Sequence, residues 1–165
     1  MRLLWLTGMA TLALSGGIAW YLAPLSPGVL VLQFAFTPRA FGELIHFWSA
    51  EQLLRFRLHL AADCLLLLCY GAFGFLLASR TQLFRGFGTL GRRWAMWALP
   101  FAAGFDAVEN ALHWWLTEVP RFGLTWPYLL AAGSASAKWL LLLAYGLSVT
   151  LAMARSDPAP GCFRR

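Results

Sequence analysis

The sequence predicts an all-α integral membrane protein, a four-helix up-and-down bundle with a short external amphipathic helix. Three observations lead there. Hydrophobic residues fill 60% of the 165 positions and charged residues only 12%, a balance that partitions into lipid rather than water. The apolar residues gather into four runs, each about 20 residues or longer, the length that crosses a bilayer. Arginines concentrate between alternate runs, as they do in cytoplasmic loops.

The runs are 3–25, 58–78, 94–116 and 127–154. They leave no segment for a soluble domain, so 1–165 reads as a single transmembrane domain. Arg2 precedes the first run, as in a secretory signal. That run is longer than a signal core and lacks a small-x-small cleavage site, and it reads as a retained first span.

The longest connection, between the first and second runs, holds the external helix over 38–48. Thr37 followed by Pro38 is a helix start. Phe41, Leu44, Ile45 and Trp48 recur at i, i+3, i+4 and i+7, an amphipathic stripe that suits a helix lying in the membrane interface or a lid over the bundle's mouth. Ser49 and Gln52 then form a capping box that opens the next helix, which projects through Arg55 and Arg57 before entering the membrane.

Arg2, the group Arg80, Arg85, Arg92 and Arg93, and the end group Arg155, Arg164 and Arg165 fall on one side of the four runs. That side is therefore cytoplasmic and holds both termini. On the other side Arg39, Arg55, Arg57 and Arg121 are offset by Glu43, Glu51 and Glu118. The net charge of +6 belongs mostly to the cytoplasmic flanks, where arginine orients helices and meets anionic head groups of membrane lipids, so nucleic acid is not an expected partner. Cys64 and Cys69 share one span and Cys162 lies in the tail, which gives no disulfide framework. The last four residues are not a prenylation box.

The second and fourth spans carry a weak internal repeat. DCLLLLCYGAFGFLLASR from Asp63 and KWLLLLAYGLSVTLAMAR from Lys138 share four leucines, a Tyr-Gly pair at Tyr70 and Tyr145, and a closing arginine. Asp63 and Lys138 each stand 17 residues before that arginine, about 25 Å above the cytoplasmic boundary at about 1.5 Å rise per residue. The third span runs the other way from Arg93. Glu109 and Asn110 then lie about 24 to 26 Å from the same boundary, Asp106 about 20 Å, and His59 and His113 about 30 Å.

Helical spacing puts these residues on common faces. Asp106, Glu109, Asn110 and His113 stand at i, i+3, i+4 and i+7, and His59 and Asp63 at i and i+4, so each stripe must face the bundle interior. Ser134 shares a face with Lys138, and the small residues over 131–137 allow a neighbouring helix to come close. The result is a layer of acid, amide and ammonium in the outer half of the membrane.

With Thr37-Pro38, Asp63 ahead of Tyr70-Gly71, Asp106-x-x-Glu109-Asn110 and Lys138, the chain resembles a group of small prokaryotic four-span membrane proteins with an Asp-x-x-Glu-Asn motif in the third span. The resemblance runs from Thr37 onward. It implies a bacterial cytoplasmic membrane and the same choice of residues, and no particular reaction.

Three readings of the polar layer stay open. The first is an ion-pair network that fixes helix packing, since buried charges in membranes need partners. Three carboxylates facing one lysine leave an excess that a proton, a metal, an imidazolium or a cationic ligand must meet. The second is binding or acid-base transformation of a hydrophobic, lipid-like small molecule. There Glu109 or Asp106 would donate a proton, Lys138 and Asp63 would set the field, and Asn110, Ser134, Tyr70 and Tyr145 would bind or orient the molecule. The third is a metal site, zinc or iron, on His59 and His113 with a carboxylate. Proton-coupled transport is a further alternative, for which four spans would require a homodimer. No phosphate loop, Gly-x-Ser-x-Gly elbow or His-Glu-x-x-His helix occurs, which disfavours nucleotide hydrolysis and the familiar hydrolase classes.

Overall fold

The computed structural model describes residues 1–155, and among these every regular element is helical. Cys162, Arg164 and Arg165 lie outside the described residues. The elements are α1 (Arg2–Leu22), α2 (Val29–Gln33), α3 (Pro38–Phe47), α4 (Ala50–Arg80), a 3-10 turn (Arg85–Phe87), α5 (Gly88–Glu118) and α6 (Trp126–Arg155). Three of them, α1, α4 and α6, are long and apolar enough to cross a membrane. The 31-residue α5 is not among these three. Asp106, Glu109 and Asn110 interrupt its apolar middle and lower its hydropathy.

The four long helices pack in chain order, α1 on α4, α4 on α5 and α5 on α6, while α1 and α6 barely meet. One side of the assembly is consequently open. Close approach between α4 and α5 depends on glycine at two positions. A Cβ on Gly74 would come within 2.6 Å of Leu99, and one on Gly71 would meet the Ala103 Cβ at 3.3 Å. Ala95, Ala98, Ala102 and Ala103 are the buried small residues facing them from α5. Ala131, Ala132 and Ala135 are buried on α6, the small-residue contact expected there.

The termini of these helices are held by side chains. Ser49 and Gln52 form the expected capping box, with both hydrogen bonds made. At 31 residues, α4 is about 46 Å long at about 1.5 Å per residue, more than the roughly 30 Å of hydrocarbon. Its first two turns carry Glu51, Arg55 and Arg57 beyond the apolar run. Arg55 donates to the Tyr21 carbonyl at 3.1 Å and stacks over the Tyr21 ring, closing the C-terminus of α1. At the other end Arg92 donates to the carbonyls of Ala78 and Ser79 at 3.2 and 2.9 Å. Gly88, with φ +68°, supplies the left-handed residue that passes the chain from the 3-10 turn into α5.

Thr37 caps α3 by accepting from the Ala40 amide at 3.1 Å. The apolar stripe of α3 turns onto protein: Phe41 and Trp48 are buried in a cluster with Leu25, Leu32, Phe56, Leu60, Leu116 and Tyr128. Trp48 donates to the Pro27 carbonyl at 2.9 Å and Gln52 to that of Pro24 at 3.2 Å, fastening the first connection over the same end of the bundle. The five-residue α2 was not expected, because Val29–Gln33 is too short and too uniformly apolar to show a helical period.

Candidate functional site

Lys138 is the only lysine in the chain, and it is buried at the centre of the polar layer. From α6 its Nζ donates to Asp106 Oδ1 at 2.9 Å and stands 2.7 Å from Glu109 Oε2. One ammonium thus bridges two carboxylates one turn apart on α5. Tyr70, from α4, donates to Asp106 Oδ2 at 3.0 Å. Both oxygens of Asp106 are therefore used, and this carboxylate is the fixed point of the network.

Glu109 is different. It is 0% exposed, yet its Oε1 accepts no hydrogen bond. Lys138 serves Oε2 at 2.7 Å, and Oε1 lies 3.7 Å from His113 Nδ1. A buried carboxylate oxygen without a donor is costly.

Asp63 is half-buried on α4, and its Oδ2 accepts from Asn110 Nδ2 at 2.6 Å. His59 Nδ1 donates to the Phe56 carbonyl. His113 is enclosed by the Phe41 and Phe56 rings, each 5.9 Å away centroid to centroid. Among the described residues no three His, Cys, Asp or Glu side chains are grouped to hold a metal ion.

The cluster opens into a cavity of about 630 Å³, within the size range of small-molecule sites. Its polar wall is His59, Asp63, Tyr70, Asp106, Glu109, Asn110, His113 and Lys138; its apolar walls include Ile18 and Leu22 of α1 and Leu142 of α6. It therefore lies on the side where α1 and α6 part.

Two expected residues stand apart from it. Ser134 is buried one turn from Lys138, and Tyr145 donates to the Gly74 carbonyl at 3.3 Å among Phe84 and Trp94. Neither lines the cavity. The repeat equates Tyr70 with Tyr145, but only Tyr70 reaches a carboxylate.

Compared with protein-family models, curated proteins and solved structures, the chain matches none. The site is therefore read from its own geometry.

That geometry includes residues the sequence reading missed. Thr11 and Ser15 line the cavity from α1. Their hydroxyls donate back to the carbonyls of Thr7 and Thr11, at 2.8 and 2.6 Å, which satisfies them within an apolar helix. Trp139 and Gln33 also line the cavity, and Trp139 Nε1 donates to Gln33 Oε1 at 3.0 Å. Their signals were present: a Thr-x-x-x-Thr-x-x-x-Ser stripe, and one amide in the apolar run 28–36.

Proposed function

We propose that this is a four-span protein of a bacterial cytoplasmic membrane, with both termini cytoplasmic, whose cavity binds a lipid-like small molecule and exchanges a proton with it through Glu109. The observation that carries the reading is Glu109 itself, wholly buried, with an Oε1 that no donor serves, and lining a cavity of about 630 Å³. A group that only held helices together would have its acceptors satisfied.

The fourth crossing is assigned to α5 because it packs between α4 and α6 and carries the interior-facing polar stripe. Arg80, Arg85, Arg92, Arg93 and Arg155 support the orientation. On the far side α3 would lie at the outer surface as a lid, with Phe41 pressing on the site and the exposed Phe47 toward lipid.

In this reading the roles divide. Asp106, held by Lys138 and Tyr70, keeps the ammonium in place. Lys138 holds Glu109 in register, and Glu109 carries the proton to or from the molecule in the cavity. Asn110 orients Asp63.

Occlusion tests the binding. Ser15 is exposed on α1 and lines the cavity, so Ser15→Phe fills the opening without disturbing a packed core. Lipid-like molecules extracted from purified wild type should be missing from Ser15→Phe at equal yield. Identical extracts from the two proteins contradict the reading.

A further inference from the structure

The polar wall of the cavity has more acceptors than donors, and more negative than positive charge. Three of its donors are committed: Lys138 is divided between Asp106 and Glu109, Tyr70 serves Asp106, and Asn110 serves Asp63, while His113 stands 3.7 Å from Glu109 Oε1, beyond hydrogen-bond length. Glu109 Oε1 still accepts no hydrogen bond. Asp63 has the Asn110 amide as its hydrogen-bond partner and, among the described residues, no ion-pair partner.

The nearest arginines cannot make up the difference. Arg55 turns to the Tyr21 carbonyl and Glu51, and Arg57 to Glu118 and the Trp114 ring. His59, one turn from Asp63, donates to the Phe56 carbonyl. Three carboxylates and one lysine at this depth leave a negative excess that hydrocarbon does not tolerate.

We infer that the molecule bound in the cavity is a lipophilic amine held as its ammonium ion, with Asp63 as its counter-ion, an inference that rests on the cavity being a binding site. An ammonium brings N–H donors and positive charge together, the two things the wall lacks. A neutral alcohol would bring one donor and no charge. A fatty acid or phosphate would add charge of the wrong sign. Lys138 does not oppose an ammonium, because its own charge is matched by two carboxylates at 2.9 and 2.7 Å. The Phe56 ring in the lining suits a cation, and Ile18, Leu22 and Leu142 suit an alkyl chain that leaves between α1 and α6.

The test uses three chain-matched probes, tetradecylamine, tetradecanol and tetradecanoate, added to full-length protein in neutral detergent and counted as bound mass by native mass spectrometry. Wild type should retain the amine about tenfold over the alcohol, the size of one hydrogen bond to a charged group, and the acid least. Asp63→Asn should bring amine and alcohol to parity. This variant keeps a carbonyl to accept from Asn110, and the three-probe ranking in wild type stands even if it fails to fold. Equal retention of alcohol and amine by wild type, or an amine preference that survives Asp63→Asn, overturns the inference. If the alcohol is retained and Ser15→Phe loses it, the amine assignment fails and the cavity reading stands; if wild type retains no probe, both fall.

Discussion

Lys138 on α6 brings its ammonium to 2.7 Å from Glu109 Oε2 on α5, yet the other oxygen of Glu109, sealed from solvent, accepts no hydrogen bond. The same ammonium donates to Asp106 at 2.9 Å. Two carboxylates of one helix, one turn apart, are thus used unequally. Asp106 accepts on both oxygens, and Glu109 leaves Oε1 without a donor.

That inequality separates two substitutions of similar chemistry. Asp106→Asn keeps one acceptor oxygen where Lys138 and Tyr70 use two, and should cost about 1–3 kcal/mol. Glu109→Gln keeps a carbonyl oxygen for Lys138 and leaves Lys138 paired with Asp106, so its cost should be the smaller, about 0.5–1 kcal/mol. Unfolding of the purified variants in mixed micelles gives both numbers. A larger loss for Glu109→Gln would mean that Glu109 is the structural member of the pair.

Lys138→Met strands two buried carboxylates and should destabilise the bundle by about 3–5 kcal/mol. Adding Asp106→Asn and Glu109→Gln removes the stranded charge and should recover most of the loss, since groups in one network do not add independently. The same unfolding assay reads the recovery. A triple variant no more stable than Lys138→Met would show that charge balance is not what the lysine provides.

Gly74→Ala tests the α4–α5 contact. The added carbon would come within 2.6 Å of the Leu99 Cβ, which cannot swing away as a side-chain tip would. The helices must part, at about 1–3 kcal/mol. Gly71→Ala, whose nearest contact is 3.3 Å, should cost less. Reversed order in thermal stability would place the tight contact elsewhere.

Topology is open to labelling. Gln82 and Gly123 flank α5 at opposite ends. In a variant without native cysteines, a cysteine at position 123 should react with an impermeant maleimide from outside intact cells, and one at position 82 only after permeabilisation. Labelling of both from the same side would mean that α5 does not cross.

Much of the site was legible because the rise of an α-helix is constant. Counting from the terminal arginines brought Asp63 level with Asn110 and Lys138 level with Glu109, and these are the pairs that meet, at 2.6 and 2.7 Å. Rotation about a helix axis is another matter. Tyr70 and Tyr145 occupy equivalent repeat positions, yet one reaches Asp106 and the other the Gly74 carbonyl. Packing also turned the apolar stripe of α3 onto Phe56 and Tyr128, and it parted α1 from α6, which made Thr11, Ser15 and Trp139 into cavity wall. Neither outcome is written in the period of a single helix.

The proton assigned to Glu109 can be followed by infrared difference spectroscopy on protein in neutral nanodiscs, recording the carboxyl stretch as tetradecylamine is added. The expected result is a carboxyl band that changes on addition in wild type and is missing in Glu109→Gln, with the band from Asp106 unaltered. A wild-type spectrum that binds amine without any carboxyl change, or a change that persists in Glu109→Gln, would contradict proton exchange at Glu109.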